Sequence, residues 1–249
     1  MEKSREIVSR LFCFQLLMKV TAVIVAAGEG LRIGGKVPKP FLPLCGRAVV
    51  LRTLDRFFSA RSIGKIILVI AASERARCER MLRADSALGQ RPWLLQSGGA
   101  TRQESVKAGL EKLDGDTDVV VIHDGARPFV SAALIDRCVE SAKQNGAVAV
   151  GLPVRDTIKA VSDDRWVLST PDRKALWKIQ TPQAFRRELI VQAHDWASRE
   201  GVTATDDAML VELMGKPVKI IDGETTNLKI TLPDDLWLAE AMIREGRIA

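Results

Sequence analysis

Residues 19–32 read KVTAVIVAAGEGLR, a mostly apolar run that passes directly into a glycine-rich loop. The apolar part is rich in β-branched residues, which is typical of a strand buried on both faces of a sheet. Strands of that kind belong to parallel sheets, and a glycine-rich turn at their carboxyl end is a common place for phosphate to bind. The stretch therefore predicts an α/β protein with a binding site where this strand ends.

The rest of the chain alternates apolar, strand-like runs with amphipathic segments. The pattern predicts helices that include one capped by Ser73 and one that opens with a Thr101–Glu104 capping box. This alternation implies right-handed crossovers and a Rossmann-like, mostly parallel sheet flanked by helices. Further strands are predicted at residues 65–71, 93–96, 118–122 and 146–152, and helices at 48–58, 73–82, 101–113, 131–144, 185–200, 205–214 and 234–246.

One segment, residues 153–178, breaks this rhythm. It holds two short β-like pieces, at 157–161 and 166–170, joined by a Ser-Asp-Asp turn with no helix between them. We expect a projecting β-hairpin arm that covers a site or contacts another subunit. The domain organisation predicted is one nucleotide-binding domain over residues 18–249, which carries the arm, preceded by a disordered extension over residues 1–17. Either Met1 or Met18 is compatible with the start of the protein.

Composition narrows the class of protein. With 249 residues, 47% of them hydrophobic and 27% charged, the chain has the composition of a globular domain. Its net charge of +6 suits a phosphorylated small ligand, but the basic residues are scattered and Tyr is absent, so no nucleic-acid partner is expected. The four cysteines and two histidines lack the spacing of zinc ligands, and scattered thiols indicate a cytoplasmic protein. No apolar run is long enough to predict a membrane span.

The loop after the first strand has three phosphate-binding interpretations. The dinucleotide fingerprint fails because Ile33 stands at its third glycine. A P-loop is approached by Gly30 and Gly35-Lys36, but Val37 cannot offer a hydroxyl to Mg²⁺. The third interpretation, a triphosphate loop whose cations come later from Arg32 and Lys39, fits best. A plain tight turn remains the structural alternative for the glycines alone.

Two further stretches carry candidate site residues. In GGATRQESV, residues 98–106, paired glycines precede a capped helix, so that the backbone can lie against a flat base. We expect a branched side chain at Gly99 to take the place of that base.

In HDGARP, residues 123–128, Asp124 ends a predicted strand and can hold Mg²⁺ or a hydroxyl, while Arg127 can bind a phosphate. His123 is predicted to be a packing residue rather than a base. A simple turn and a local ion pair are the alternatives.

With these motifs the sequence resembles the 2-C-methyl-D-erythritol 4-phosphate cytidylyltransferases over residues 18–246. The resemblance rests on AAGEGLR, GGATRQESV, HDGARPF, PVRDTIK, DRKALWKIQTPQAF, TDDAMLVE and NLKIT, which occur in the family's order. It implies a homodimeric nucleotidyltransferase that binds Mg²⁺ and CTP and then a polyol phosphate. The implied products are 4-diphosphocytidyl-2-C-methyl-D-erythritol and pyrophosphate, in non-mevalonate isoprenoid synthesis.

The resemblance also implies roles for individual residues. Arg32 and Lys39 match transition-state stabilisers, and Arg173 and Lys229 match cations that hold the incoming phosphate. The residues that match nucleotide contacts are Ala26, Ala27, Gly28, Gly30, Gly98, Gly99, Ser105 and Asp124, with Asp124 also near the metal. Those that match substrate contacts are Arg127, Thr157, Thr181 and Thr205, with Thr157 and Arg173 reaching across the dimer.

Five positions depart from the family pattern, namely Val25, Pro40, Phe41, Ala100 and Gly125, and none of them removes a charged site residue. The sequence leaves three alternative functions open. They are a cytidylyltransferase for another polyol phosphate such as ribitol 5-phosphate, a non-catalytic nucleotide-binding module, and a dehydrogenase. The PVRDTIK and NLKIT motifs favour the methylerythritol enzyme over an enzyme for another polyol phosphate. The retained cationic residues argue against a non-catalytic module, and the failed dinucleotide fingerprint argues against a dehydrogenase.

Overall fold

The computed structural model describes residues 18–28, 37–88 and 90–248. A seven-stranded sheet forms its centre. Its strands are β1 (Val20–Ala26), β4 (Lys65–Ile70), β5 (Trp93–Ser97), β6 (Val119–Asp124), β7 (Ala147–Pro153), β10 (Trp177–Arg186) and β11 (Lys219–Asp222). They lie in the order β11-β7-β10-β6-β1-β4-β5. Every neighbouring pair is parallel except the two that involve β10, which runs antiparallel to both β6 and β7. The predicted mostly parallel α/β sheet is confirmed.

Helices cover both faces of the sheet, because successive strand residues point to opposite sides. In β1, Ala22 and Ile24 join one apolar cluster while Val23 joins the other. The helices are α1 (Val49–Ser59), α2 (Arg75–Ala84), α3 (Arg102–Leu110), α4 (Ala132–Asn145), α5 (Arg187–Glu200), α6 (Asp207–Leu213) and α7 (Pro233–Arg244). The first cluster includes residues of α1, α2 and α4, and the second includes residues of α3, α5 and α6.

A side-chain cap begins three of the seven described helices, α3, α4 and α6. The capping box predicted for α3 is present, with Thr101 accepting from the amide of Glu104 and the Glu104 carboxylate accepting from the amide of Thr101. The cap predicted at Ser73 is wrong. A 3-10 turn occupies Ala72–Glu74, and α2 begins after it with Glu74 at the N-cap and no side-chain cap bond. The tertiary position of the chain after β4 therefore overrides the local preference of Ser73.

Three features were not predicted. One is strand β10, and because it runs to Arg186 the helix expected from residue 185 begins at Arg187. Strand β11 pairs with β7 at the edge of the sheet. A small hairpin of β2 (Pro43–Leu44) and β3 (Arg47–Ala48) precedes α1, and it packs with Ile230 and Ala239 in a third apolar cluster. This cluster supports the loop that carries Lys229.

The predicted hairpin arm is confirmed. Strands β8 (Ala160–Val161) and β9 (Val167–Ser169) pair antiparallel, apart from the main sheet. Both are exposed, and Trp166 beside them is 77% exposed. The extension predicted at residues 1–17 lies outside the described residues. Within the described part of the chain, no helix has the length and apolar character needed to cross a membrane.

Candidate active site

A pocket of about 320 Å³ opens at the carboxyl ends of β1 and β6, beside the loop that follows β5. This is the edge at which open α/β sheets bind their ligands. It brings together eight of the residues assigned from the sequence. They are Ala26, Ala27, Gly28, Lys39, Gly99, Ser105, Asp124 and Lys229. Gly30 and Arg32 lie outside the described residues, so their assigned roles stay predictions.

Asp124 is the acidic centre of this pocket. One oxygen of its carboxylate accepts from Nε of Arg102 at 3.1 Å, and the other lies 2.7 Å from Nζ of Lys229. Burial by itself would raise the pKa of Asp124, but the charges of Arg102 and Lys229 hold that pKa below its usual range. The carboxylate is therefore ionised at neutral pH and fixes a cation on each side.

The loop after β5 has glycines because its backbone packs too closely for side chains. A Cβ on Gly98 would lie 2.5 Å from Cβ of Ala27 and 2.6 Å from Oγ of Ser105. A Cβ on Gly99 would lie 2.5 Å from Cβ of Glu104, inside the capping box. The expectation that a side chain at Gly99 would take the place of the base is therefore wrong, because it would point into the start of α3.

Ser105 ties this loop to the helix. Its hydroxyl accepts from the amide of Gly99 at 3.2 Å and donates to the carbonyl of Thr101 at 2.8 Å, and the residue is only 2% exposed. These two bonds fasten the loop to the start of α3. Lys39 also lines the pocket, from a 3-10 turn, Lys39–Phe41, that follows Pro38.

Two assigned residues lie directly behind Asp124. The hydroxyl of Thr181 accepts from the amide of Asp124 at 3.1 Å and lies 3.1 Å from Nδ1 of His123. Arg127 donates to the carbonyl of Asn227 at 2.9 Å, and its Nε lies 3.8 Å from the Asp124 carboxylate. Both side chains brace the site from within the protein, and their contact with substrate stays a prediction.

His123 behaves as expected of a packing residue. It is fully buried, its ring packs 4.9 Å from that of Phe57, and burial lowers its pKa to about 3. A neutral, enclosed imidazole at neutral pH does not serve as a proton acceptor for a ligand in the pocket.

Three assigned residues are not brought to the pocket within this chain. Thr157 and Arg173 are exposed on the arm, where Arg173 donates to the carbonyl of Arg155 at 2.8 Å. Thr205 is exposed just before α6, and its hydroxyl lies 3.6 Å from Sδ of Met209. Their assigned roles stay predictions, and those on the arm depend on a second subunit.

No role is predicted from the sequence for Arg102 or Asp207, although Arg102 contacts the Asp124 carboxylate. Arg102 lines the pocket and also contacts Asp207, which is 1% exposed and paired with His194. The two carboxylates that Arg102 joins, Asp124 and Asp207, are far apart along the chain, so no continuous motif links them. The only available signal was an arginine in the first turn of α3, facing the edge where β6 ends.

The donor set fits a cation that is held mainly by a ligand's phosphates. No group of three or more His, Cys, Asp or Glu side chains that could hold a metal is found within residues 18–28, 37–88 and 90–248. Asp124 is the carboxylate among the residues lining the pocket, and each of its oxygens keeps a lone pair beyond its bond to Arg102 or Lys229. Magnesium is commonly bound in this way, by one or two carboxylates together with phosphate and water.

Residues 20–245 match the family described as IspD, 2-C-methyl-D-erythritol 4-phosphate cytidylyltransferase. A protein of that name from Bacillus velezensis is 46% identical over 228 residues, which cover 91% of this chain and 97% of the relative. Another, from Desulforamulus reducens, is 43% identical over 225 residues, covering 90% and 96% respectively.

Solved structures agree with this match. The 4-diphosphocytidyl-2C-methyl-D-erythritol synthase from Anaerococcus prevotii superposes with a TM-score of 0.81 at 33% identity, covering 91% of this chain and 99% of that one. A 2-C-methyl-D-erythritol 4-phosphate cytidylyltransferase from Thermus thermophilus gives 0.74 at 36% identity, covering 91% and 100%.

Proposed function

The chain belongs to the 2-C-methyl-D-erythritol 4-phosphate cytidylyltransferase family, and we propose that the pocket around Asp124 is where it performs that reaction. The enzyme transfers the cytidylyl group of CTP to 2-C-methyl-D-erythritol 4-phosphate and releases pyrophosphate. The observation that carries the site assignment is the meeting of Lys39, Lys229 and the Gly99 loop in one pocket at the carboxyl edge of the sheet.

The nucleotide is held largely by backbone. The loop of Gly98 and Gly99 offers a flat surface for the base, kept in place by the Ser105 hydroxyl. The triphosphate lies over the turn after β1, where Ala27 and Gly28 line the pocket and their amides can donate to phosphate oxygens. Gly98 packs closely on Ala27, so the base and phosphate halves of the site are in direct contact.

The chemistry needs cations more than it needs a base. The nucleophile is a phosphate oxygen of the substrate, which is already ionised at neutral pH, and His123 is buried and neutral. The barrier comes from bringing one anion to the α-phosphate of another. Lys39 and Arg32 reduce that repulsion at the α-phosphate and the departing pyrophosphate, while Lys229 holds the incoming phosphate in line.

Mg²⁺ is the cofactor we propose, with Asp124 as its protein ligand and CTP phosphates as its main ligands. When bound, it neutralises phosphate charge and supports the departure of pyrophosphate. Asp124 also orients Lys229, at 2.7 Å, so that the ammonium faces the same space.

A homodimer completes the site in this proposal. Trp166, Val167 and Leu168 on the arm are 77%, 58% and 68% exposed, which is an apolar surface suited to a second copy. Arg173 and Thr157 lie on the same arm, and a two-fold dimer would deliver each to its neighbour's pocket. Three of the cysteines are free thiols, which suits an enzyme of the cytoplasm.

The direct test is pyrophosphate release from CTP and Mg²⁺ with two acceptors side by side. We expect turnover with 2-C-methyl-D-erythritol 4-phosphate and little with ribitol 5-phosphate. Preference for ribitol 5-phosphate would replace the acceptor, and release without any acceptor would indicate a hydrolase instead.

A further inference from the structure

The guanidinium of Arg102 is divided between two carboxylates. Its Nε donates to Asp124 at 3.1 Å, and its Nη1 lies 2.8 Å from Oδ2 of Asp207. Asp124 faces the pocket, whereas Asp207 lies behind Arg102 and is not a lining residue. A single arginine thus joins the site to a buried acid that no ligand in the pocket would touch.

Asp207 is anchored firmly on its far side. Its Oδ1 lies 3.1 Å from Nε2 of His194, and both side chains are at most 2% exposed. The neighbouring Asp206 caps α6 by accepting from Met209, and Gln183 of β10 bonds both the Asp206 carboxylate and the amide of Ala208. The Asp207 carboxylate therefore contacts two helices, through Arg102 of α3 and His194 of α5, and the residues on either side of it are bonded to the sheet.

An ionised carboxylate is costly to bury without compensation. Burial by itself would raise the pKa of Asp207, yet Arg102 and His194 lower it. With Asp207 charged, Arg102 is shared, and Asp124 keeps its second oxygen for Lys229. With Asp207 neutral, Arg102 would have Asp124 as its remaining carboxylate and would draw it away from Lys229.

We propose that Asp207, held by His194, is a positioning residue for the reaction, acting through Arg102 to set the orientation of Asp124 and so the place of the Lys229 ammonium. The inference rests on the proposed function of this pocket. It assigns the buried pair a part in turnover, although neither residue reaches a ligand. Because the effect falls on the alignment of the incoming phosphate, it should lower kcat more than it weakens CTP binding.

The test compares Asp207→Asn with wild type for kcat, KM and CTP affinity by calorimetry. We expect kcat to fall about tenfold to a hundredfold, the scale of a 1 Å misplacement, with CTP affinity changed less than about threefold. The matched control is Thr21→Val, which removes a buried 3.2 Å hydroxyl contact with Thr117 at the opposite edge of the sheet and should leave kcat unchanged. Unchanged kcat in Asp207→Asn would overturn the proposal.

A double-mutant cycle separates positioning from general damage. If Asp207 acts through Lys229, then Asp207→Asn should cost little further kcat in a Lys229→Ala background. An equal loss in both backgrounds would mean a merely structural role and would contradict the proposal. Should Asp207→Asn not fold, His194→Leu carries the same cycle, and His194→Gln, which keeps a donor near the Nε2 position, should retain activity.

A structural readout stands apart from activity. Crystal structures of wild type and Asp207→Asn, or of His194→Leu in its place, should show Arg102 turned wholly to Asp124 in the variant and Lys229 displaced by about 1 Å. An unchanged Asp124–Lys229 contact overturns the inference whatever the kinetics. If wild type is inactive with CTP and the polyol phosphate while Lys229 moves as expected, the proposed function fails and the positioning network stands.

Discussion

Replacing Gly98 with Ala should damage the site although it adds only one methyl group. The new Cβ would lie 2.5 Å from Cβ of Ala27 and 2.6 Å from Oγ of Ser105. Ordinary carbon contacts are about 3.5–4.0 Å, so the loop and the turn after β1 must separate by about 1 Å. Overpacking of this kind costs about 1–3 kcal/mol in the free energy of unfolding. The site should suffer more than the fold, because the displaced atoms belong to the loop and turn that we propose hold the nucleotide.

The measurement is a paired one of thermal unfolding and steady-state turnover with CTP. Each kcal/mol should lower Tm by about 2–4 °C in a chain of this size. Turnover efficiency should fall on the order of a hundredfold, as expected for a 1 Å misplacement. Gly115→Ala is the matched control, because a Cβ there meets nothing within 4 Å. Equal Tm and turnover in the two variants would refute the packing argument.

Three further predictions follow from the same geometry. Lys39→Ala should lower kcat by a factor of about 10²–10³ and lower CTP affinity much less. The control, Lys112→Ala at an exposed position, should change neither quantity. A normal kcat in folded Lys39→Ala would show that Lys39 has no catalytic role. Mixing Lys39→Ala with Arg173→Ala subunits should restore about a quarter of wild-type activity. About half of the dimers would then be mixed, and one of the two sites in each mixed dimer would be intact. No recovery despite subunit exchange would place Arg173 outside the neighbour's site. His123 has a folded pKa of about 3, below the unfolded value of 6.5, so the unfolded chain binds more protons between these values and stability should fall as pH drops below about 6.5. Chemical denaturation at pH 7 and pH 5 should show a smaller change in His123→Asn than in wild type, and equal changes would contradict the buried neutral state.

Local sequence patterns predicted the strands and helices that bury mainly apolar side chains. Strand β6, with its run of Val and Ile, and helix α3, with its capping box, are examples. Strand β10 was missed because it is polar and contains Pro182, both unusual for a central strand. The polar side chains of Gln180 and Gln183 can be buried in this strand because they form hydrogen bonds with Asn227 and Asp206. Those partners come from distant segments, so no local pattern could indicate them.

The candidate site shows the same division. The Asp124 and Gly99 stretches were recognised because each motif is continuous in sequence and ends at the carboxyl edge of the sheet. The role of Gly99 was misjudged because the direction of its missing Cβ depends on how α3 begins. The bridge from Arg102 to Asp207 joins residues brought together only by the packing of α6 against the second face.

A crystal structure of the chain with CTP and Mg²⁺ would show directly whether the nucleotide binds in the Asp124 pocket. We expect the cytosine against the Gly98–Gly99 loop, the triphosphate over Ala27 and Gly28, and phosphate oxygens within hydrogen-bond reach of Lys39. CTP bound elsewhere, for instance in the cavity at the base of the arm beside Trp177, with the Asp124 pocket left empty, would contradict it.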